Sequence, residues 1–222
     1  MSISIRYEDD HILIADKPAG MLTHASAKLA EKNLLKELNR LDLKPVNRLD
    51  FHTAGLVLFG KNAQAVFYLN QLQRSGGIQK KYQAIALGLF PEKKAEKTAY
   101  LLKDDAQGRV WVTDEPNPDL KPIITRYRVI DEYPGLSLIE IELVTGRTHQ
   151  IRAHMALLGH PILGDPFYGN PLKNRQYGVK TQVLIASSLT FIVPRTDHFF
   201  HYLDTKTFSR LGPSLTQYKK NG

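Results

Sequence analysis

Arg48 and Asp50 are the first residues of this sequence whose types and spacing suggest chemistry. In an extended backbone, side chains two positions apart point to the same face, so this guanidinium and this carboxylate lie side by side. A carboxylate next to a cation stays ionised and can attack as a nucleophile. The alternative is an ordinary surface ion pair, and these two residues alone leave both interpretations open.

The segment after Asp50 predicts the setting of this pair. Thr53, Ala54 and Gly55 are small, which allows a tight bend or the close approach of a ligand. The apolar run from Leu56 to Phe59 then predicts a buried strand. The carboxylate is therefore expected at the mouth of a core strand, where a pocket can form.

Two further stretches carry candidate residues. Lys80 and Lys81 precede Tyr82 in a predicted strand, and Arg147 and Arg152 flank the start of a predicted helix. Gly146, Arg147 and Thr148 lie where free backbone N–H groups collect at a helix start, which predicts an anion site. Each residue also has an ordinary interpretation, since Tyr82 alone is typical of a core aromatic and Arg152 alone of a surface cation.

Several other chemistries are excluded or disfavoured by the sequence. There are no cysteines, so disulfides and thiol chemistry are ruled out. His149, His154 and His160 lie close together, but their spacing matches no metal motif and no carboxylate completes a ligand set. No nucleophile elbow, phosphate-binding loop or dinucleotide signature occurs. We expect no metal and no cofactor.

Composition bounds the class of protein. The chain has 222 residues, of which 42% are hydrophobic and 23% charged, as in a soluble globular protein. No signal peptide or apolar run of membrane-spanning length is present, so we expect a cytoplasmic protein without membrane contact. The formal net charge of +8 makes a polyanion the first partner to consider. Four stretches are strongly basic and form a phosphate-binding track if they share one side of the fold: 74–81, 93–97, 147–152 and 173–180.

Hydrophobic periodicity predicts many strands and few helices, which favours an α+β fold with a mixed, mostly antiparallel sheet. Helices are predicted over 28–41, after the N-cap Asn62 as far as Gly76, and over 148–158. From Asp204 the chain is polar and basic, and we expect a partly mobile tail. The predicted strands are 3–7, 11–15, 56–59, 80–87, 98–102, 109–113, 123–130, 136–144, 182–193 and 199–203.

Taken together, four blocks resemble the RluA-type family of RNA pseudouridine synthases, in the family's order and over residues 7–193. The family patterns are N-K-P-x-G, H-R-L-D-x-x-T-S-G-L, K-x-Y and T-G-R-T-H-Q-I-R-x-H followed by L-G-H-P-I-x-G-D-x-x-Y-G. The matching segments are DKPAG at 16–20, NRLDFHTAGL at 47–56, KKY at 80–82, and VTGRTHQIRAH at 144–154 with LGHPILGDPFYG at 158–169.

This resemblance implies a fold and an activity. The fold is α+β, with a mixed, mostly antiparallel sheet in two lobes flanked by helices. A single catalytic domain spans 1–222, with a core over 7–203, a basic C-terminal tail over 204–222 and no accessory N-terminal RNA-binding domain. The activity is conversion of uridine to pseudouridine in a structured ribosomal or transfer RNA. A short chain with a self-contained site favours a monomer. This isomerisation breaks the glycosidic bond, turns the uracil and rejoins it through C5, so it needs no cofactor.

The resemblance also implies residue roles. Asp50 matches the catalytic aspartate, which acts as nucleophile towards the target uridine or otherwise drives departure of the base. Attack at C1′, addition to C6 of the ring and proton removal from C2′ of the sugar all stay open. Tyr82 matches the tyrosine that packs on the base and is placed to assist proton removal, and Arg152 the basic residue that pairs with the catalytic carboxylate. Arg48 matches the arginine that helps to displace the target base from its stack. The full set of RNA-binding candidates is Arg48, Thr53, Gly55, Lys80, Lys81, Gly146, Arg147, Thr148, His149 and Gln150.

Three departures from the family pattern are Asn47, Ala54 and Asp16, where the family usually has His, Ser and Asn. They stand at supporting positions and bear on substrate preference more than on activity. Two rival functions stay open: a non-catalytic RNA-binding or RNA-folding protein on the same scaffold, and a nucleoside glycosidase that breaks the same bond. A pure binder has no physical reason to keep Asp50, Tyr82 and Arg152 together.

Overall fold

The structure is a computed structural model that describes residues 3–24, 33–104 and 106–218. Its helices are α1 (Leu34–Glu37), α2 (Ala63–Arg74), α3 (Gln150–Leu157) and α4 (Pro171–Gln176). Its strands are β1 (Ser4–Glu8), β2 (Ile12–Lys17), β3 (Lys44–Pro45), β4 (Ala54–Gly60), β5 (Ile78–Leu87), β6 (Lys94–Asp104), β7 (Arg109–Thr113), β8 (Lys121–Tyr133), β9 (Leu136–Leu143), β10 (Leu184–Phe191) and β11 (Thr207–Ser209). Two short 3₁₀ helices lie at His201–Leu203 and Leu215–Gln217.

The chain divides into two compact units. The first consists of Met1–Lys80 with Ala186–Leu211, and the second of Lys81–Ile185 with Gly212–Gly222. Each unit has its own hydrophobic cluster, and the strands of each are mostly paired antiparallel. The predicted α+β class and the mostly antiparallel sheet are therefore confirmed.

In the first unit, β1, β2, β4 and β10 are neighbours in that order, with β3 on β4 and β11 on β10. The pairings of β1 with β2, β2 with β4, β3 with β4 and β10 with β11 are antiparallel. Leu56 to Phe59 in β4 are at most 1% exposed, as a continuous apolar strand predicts. The predicted opening hairpin is confirmed by β1 and β2.

Helix α2 covers the core of the first unit. Its N-cap Asn62 accepts a hydrogen bond from Ala65 N at 2.8 Å, and the chain leaves the helix through Gly76, whose φ is +78°. Ala65, Leu69 and Leu72 are buried on one face. The helix predicted from the Asn62 cap is therefore confirmed.

The prediction of a helix over 28–41 is largely wrong for residues 33–41, the part of this range that the structure describes. Residues 25–32 lie outside the described part of the chain, and α1 covers only four residues. Asn39 takes a left-handed φ of +53°, which stops the helix, and Leu41 is 69% exposed. The leucine spacing overstated the helix because Leu41 does not pack in the core.

In the second unit the strand order is β5, β9, β8, β6, β7, and every one of these pairings is antiparallel. The predicted strands are confirmed, although β6 and β8 are longer than expected. One face of the sheet carries ion pairs of Arg126 with Glu96 and of Arg128 with Glu140. Buried residues of β6, β7 and β8 form a cluster with Ala153 of α3, which places that helix on the sheet.

One prediction near the C-terminus is wrong. The strand expected over 199–203 is replaced by a segment that ends in a 3₁₀ turn, because Phe200 and Leu203, three apart, are both fully buried. The segment after Asp204 packs on the fold as far as Tyr218: β11 pairs with β10, and Leu215 is 2% exposed in a core cluster.

Helix α4 was not predicted, although its signal was present. Asn170 accepts hydrogen bonds from Leu172 N and Lys173 N, and Pro171 follows it at the first helical position. Within the described residues, no helix is both long and apolar enough to cross a bilayer.

Candidate active site

The loop that carries Asp50 is fixed to the first unit by side chains on either side of it. Asn47 accepts a hydrogen bond from Leu58 N at 2.8 Å and donates to Leu56 O at 3.3 Å, so its amide pairs with β4 as a backbone would. Thr23 Oγ1 accepts from Leu49 N at 3.2 Å and donates to Leu49 O at 3.4 Å. Because both side chains are buried, the loop is anchored to the core immediately before Asp50.

Lys17 anchors the loop immediately after Asp50. Its Nζ is fully buried with the rest of the side chain and donates to Met21 O at 2.7 Å, Pro18 O at 3.1 Å and Phe51 O at 3.3 Å. Phe51 O also accepts from Gly20 N and Met21 N at 2.9 and 3.1 Å. Burial lowers the pKa of Lys17 to about 8, against the opposing negative charge of Asp50.

The alternation predicted around Asp50 is present in the structure. Leu49 is buried at 7% exposure, while Arg48 is exposed and Asp50 half-buried. Thr53 N donates to Asp50 O at 3.0 Å and closes the turn into β4. Asp50 is thus held on a rigid turn, with the guanidinium of Arg48 available at the surface.

Gly55 has a packing role that could not be predicted from the sequence. It adopts a φ of +124°, and a Cβ built there would lie 2.3 Å from Ala186 O of β10. Because Gly55 has no side chain, β10 can pack directly against it, and the close approach of a ligand is not needed to explain this glycine. Thr53 is also buried, at 3% exposure.

The candidate residues of β5 have three different environments. Lys80 Nζ donates to Gln73 Oε1 at 2.7 Å, and burial lowers its pKa to about 8. Lys81 pairs with Glu140 at 3.2 Å and keeps 42% of its side chain exposed. Tyr82 is 8% exposed and stands opposite Ile141 of β9. Tyr82 is therefore held in place by packing.

Arg152 is buried, which corrects the interpretation of this residue as a surface cation. Its side chain is 3% exposed and its Nε and Nη2 donate to the two oxygens of Asp165, at 2.6 and 3.1 Å. Burial by itself raises the pKa of Asp165, but the hydrogen bonds and charge of Arg152 outweigh it and hold that pKa below its usual value. The guanidinium is thus oriented by a bidentate pair.

Gln150 is buried at 1% exposure, and its amide is satisfied inside the protein. Its Oε1 accepts from Thr145 Oγ1 and Arg147 N, both at 3.0 Å, and its Nε2 donates to Ile124 O and Thr125 Oγ1, both at 3.1 Å. All four hydrogen-bonding capacities of the amide are used, so Gln150 ties the start of α3 to β8. The Arg147 N–H of the predicted anion site is used in the same network.

The other residues at the start of α3 are accessible. Gly146, Arg147 and Thr148 are exposed, and His149 is half-buried. His149 has a left-handed φ of +52°, and its Nδ1 lies 3.0 Å from Tyr168 Oη. A strained backbone of this kind is held only where the surrounding structure fixes it, which is common at functional sites.

The three clustered histidines have separate partners. His149 contacts Tyr168, His154 Nδ1 lies 2.9 Å from Thr125 Oγ1, and His160 Nδ1 lies 3.1 Å from Leu87 O. Within the described residues, no group of three or more His, Asp or Glu side chains is arranged to hold a metal ion.

Two residues with clear structural roles were not singled out from the sequence. Lys17 and Asp165 both lie in the motif blocks, but their importance depends on partners distant in the chain. Their side chains are fully buried or nearly so, which is unusual for charged residues unless they are paired. In the sequence, each could have been noticed as a charged residue inside a block that is otherwise apolar or turn-forming.

Comparison with known proteins assigns the family. Residues 11–157 match the family model described as RNA pseudouridylate synthase. The chain therefore belongs to the RNA pseudouridylate synthase family.

Relatives of known name are similar over most of the chain. It is 34% identical over 202 residues to a Vibrio cholerae protein named ribosomal large subunit pseudouridine synthase C, and 36% identical over 203 residues to the Escherichia coli K12 protein of the same name. These alignments cover 87% and 86% of this chain. The chain spans 62% and 63% of the length of these two curated relatives.

The fold is similar to that of a solved human protein, RNA pseudouridylate synthase domain containing 4. The TM-score is 0.73 at 19% sequence identity, over 97% of this chain and 93% of that one. This similarity confirms the pseudouridine synthase fold.

Proposed function

We propose that this protein is an RNA pseudouridine synthase that isomerises specific uridines in structured RNA. The observation that carries this proposal is the family match over residues 11–157, which includes the rigidly held Asp50 and the buried Arg152. The formal net charge of +8 supports an RNA substrate, because cations neutralise phosphates.

In the proposed reaction Asp50 attacks the target nucleotide or otherwise drives departure of the base. Its loop is fixed by Asn47, Thr23 and Lys17, which keeps the carboxylate in one position before substrate arrives. Tyr82 packs on the base and is placed to assist proton removal from it. Arg152, whose guanidinium is held by Asp165, is the basic residue that we assign to the catalytic carboxylate. Such preorganised charge is effective because it does not reorient during the reaction.

The RNA-binding residues divide into two groups by exposure. We assign direct contact with RNA to the exposed residues Arg48, Gly146, Arg147 and Thr148 and to the half-buried residues Lys80, Lys81 and His149. Thr53, Gly55 and Gln150 are buried, so we assign them positioning roles in the turn before β4 and at the start of α3.

The substrate proposed is ribosomal RNA, since relatives are named ribosomal large subunit pseudouridine synthase C; transfer RNA is the second candidate. We further propose that the protein acts in the cytoplasm as a monomer with one catalytic domain over 1–222. Light scattering of the purified protein tests the monomer directly.

The decisive experiment is pseudouridine mapping of total RNA from three strains, with the gene intact, deleted, and replaced by the Asp50→Asn form. One or a few modified sites should vanish in both the deletion and the substitution. Asn has the shape of Asp but no charge, so we expect RNA affinity within a few fold of the original.

Two outcomes would contradict the proposal in different ways. Unchanged pseudouridine in both strains, together with intact RNA binding, would favour a non-catalytic RNA-binding protein. Release of free uracil by the purified protein, without pseudouridine, would favour a nucleoside glycosidase.

A further inference from the structure

An exposed aromatic ring lies beside Arg152 and has no role in the chemistry proposed above. Phe167 is 45% exposed. The Cζ atom of Arg109 lies 4.9 Å from the centre of its ring and that of Arg152 lies 5.5 Å from it. One ring therefore contacts two guanidinium groups, of which Arg152 is buried and Arg109 exposed.

The position of this ring is fixed by its neighbours. Phe167 N donates to Asp165 Oδ1 at 2.8 Å, the carboxylate that also holds Arg152. The adjacent Tyr168 donates through its N to the same oxygen at 3.0 Å and accepts at its Oη from Val110 N at 2.9 Å. The ring is thus presented to solvent by a rigid turn, which lowers the entropy cost of binding on it.

Among the described residues Arg109 has no carboxylate partner, unlike three other arginines of its unit. Arg126 and Arg128 are paired with glutamates and Arg152 with Asp165, whereas the side chain of Arg109 makes no hydrogen bond or ion pair with the described residues. Its cross-strand neighbour Asp104 accepts instead from Gln107 N at 3.0 Å. Arg109 therefore keeps its donors available while its guanidinium lies over a ring.

We propose that Phe167 and Arg109 form a binding site for a nucleotide that neighbours the target uridine in the RNA. The base stacks on the exposed guanidinium plane of Arg109, which the Phe167 ring supports from below, and the donors at the edge of that guanidinium bind a phosphate. An unpaired cation on an aromatic plane matches this ligand, which has both a flat base and a negative charge. This inference rests on the proposed function, since the substrate brings the nucleotide to Arg152 and its neighbours.

Photo-cross-linking in living cells tests the site whichever RNA the protein binds. The full chain carries p-benzoylphenylalanine in place of Phe167, or in place of Phe67 as a matched control. Phe67 is 57% exposed on α2 and contacts the ring of Tyr68, and among the described residues no guanidinium lies over its ring. We expect RNA cross-links at position 167 to exceed those at position 67 by about fivefold or more, close to the sites found by pseudouridine mapping.

Titration of the RNA recovered in that experiment tests Arg109. Arg109→Gln should weaken binding about tenfold at low salt and reduce the salt dependence by about one phosphate contact. Arg195→Gln is the control, because this exposed arginine is paired with Asp197. Arg109→Gln is preferred over Phe167→Leu here, because the Phe167 ring itself contacts Arg152.

The outcomes separate this inference from the proposed function. Equal RNA cross-linking at 167 and 67, cross-links to protein only, or unchanged binding by Arg109→Gln would overturn the nucleotide site even if pseudouridine is formed. Strong RNA cross-linking at 167 with no pseudouridine lost in the deletion strain would support the nucleotide site and contradict the enzymatic function.

Discussion

Arg152 is held by Asp165 through two hydrogen bonds, from Nε at 2.6 Å and from Nη2 at 3.1 Å, with both side chains almost completely excluded from water. The same carboxylate accepts from the backbone of Phe167 and Tyr168. One acidic group thus fixes both the proposed catalytic cation and the aromatic turn beside it.

Asp165→Asn should destabilise the protein strongly, because it removes the charged carboxylate that holds the buried Arg152 guanidinium through two hydrogen bonds. We expect the free energy of unfolding to fall by about 3 kcal/mol or more, measured by urea denaturation. The control is Asp197→Asn, in an exposed pair with Arg195, which should leave the stability unchanged. Equal stability of the two variants would contradict this role for Asp165.

The buried His154 should make the protein less stable in weak acid. It is fully buried, and burial lowers its pKa to about 4. An unfolded histidine binds a proton near pH 6.5, so between about pH 6.5 and 4 the unfolded state holds the extra proton and stability falls as pH falls. The full effect is about 3 kcal/mol.

The measurement is urea denaturation of the wild type and His154→Gln across this pH range. The difference in stability between the two proteins should shrink as pH falls from 6.5 to 4. A difference that does not change with pH would show that His154 titrates alike in both states.

Gly55→Ala should be poorly tolerated, because its Cβ would lie 2.3 Å from Ala186 O and its φ is +124°. We expect a loss of about 3 kcal/mol or more in thermal or urea unfolding. Gly108→Ala is the control for the backbone angle alone: Gly108 has a φ of +63°, and a Cβ added there would meet no heavy atom within 4 Å. Its cost should be about 1 kcal/mol.

Lys17→Met should reduce catalysis while RNA affinity is kept. The substitution removes the ammonium that donates to Phe51 O directly after Asp50, so the carboxylate loses part of its support. We expect kcat for pseudouridine formation to fall about tenfold or more with KM nearly unchanged. Lys44→Met, at an exposed lysine of the same unit, is the control. A change confined to KM would instead assign Lys17 to RNA binding.

Local signals in the sequence predicted much of the fold. Asn62 and the glycines after α2 defined a helix at both ends, and the apolar run in β4 defined a buried strand. The family resemblance pointed to Asp50, Tyr82 and Arg152, whose catalytic roles stay predictions.

Residues whose roles depend on distant partners escaped prediction. Nothing near Gly55 reveals that it faces Ala186, and nothing near Arg152 reveals its pairing with Asp165. The turn at 201–203 was predicted as a strand because hydrophobic alternation is ambiguous over five residues. Phe200 and Leu203 are buried through packing in the core, which the local sequence does not show.

The side-chain anchors around Asp50 have a consequence for slow dynamics. Leu58 N bonds to Asn47, Leu49 N to Thr23, and the chain next to Asp50 is tied to Lys17, all within the core of the first unit. The amide protons of Leu49 and Leu58 are therefore released to solvent only when that core opens. We therefore expect the loop that bears the proposed catalytic group to exchange its anchored amide protons as slowly as the strand to which it is tied.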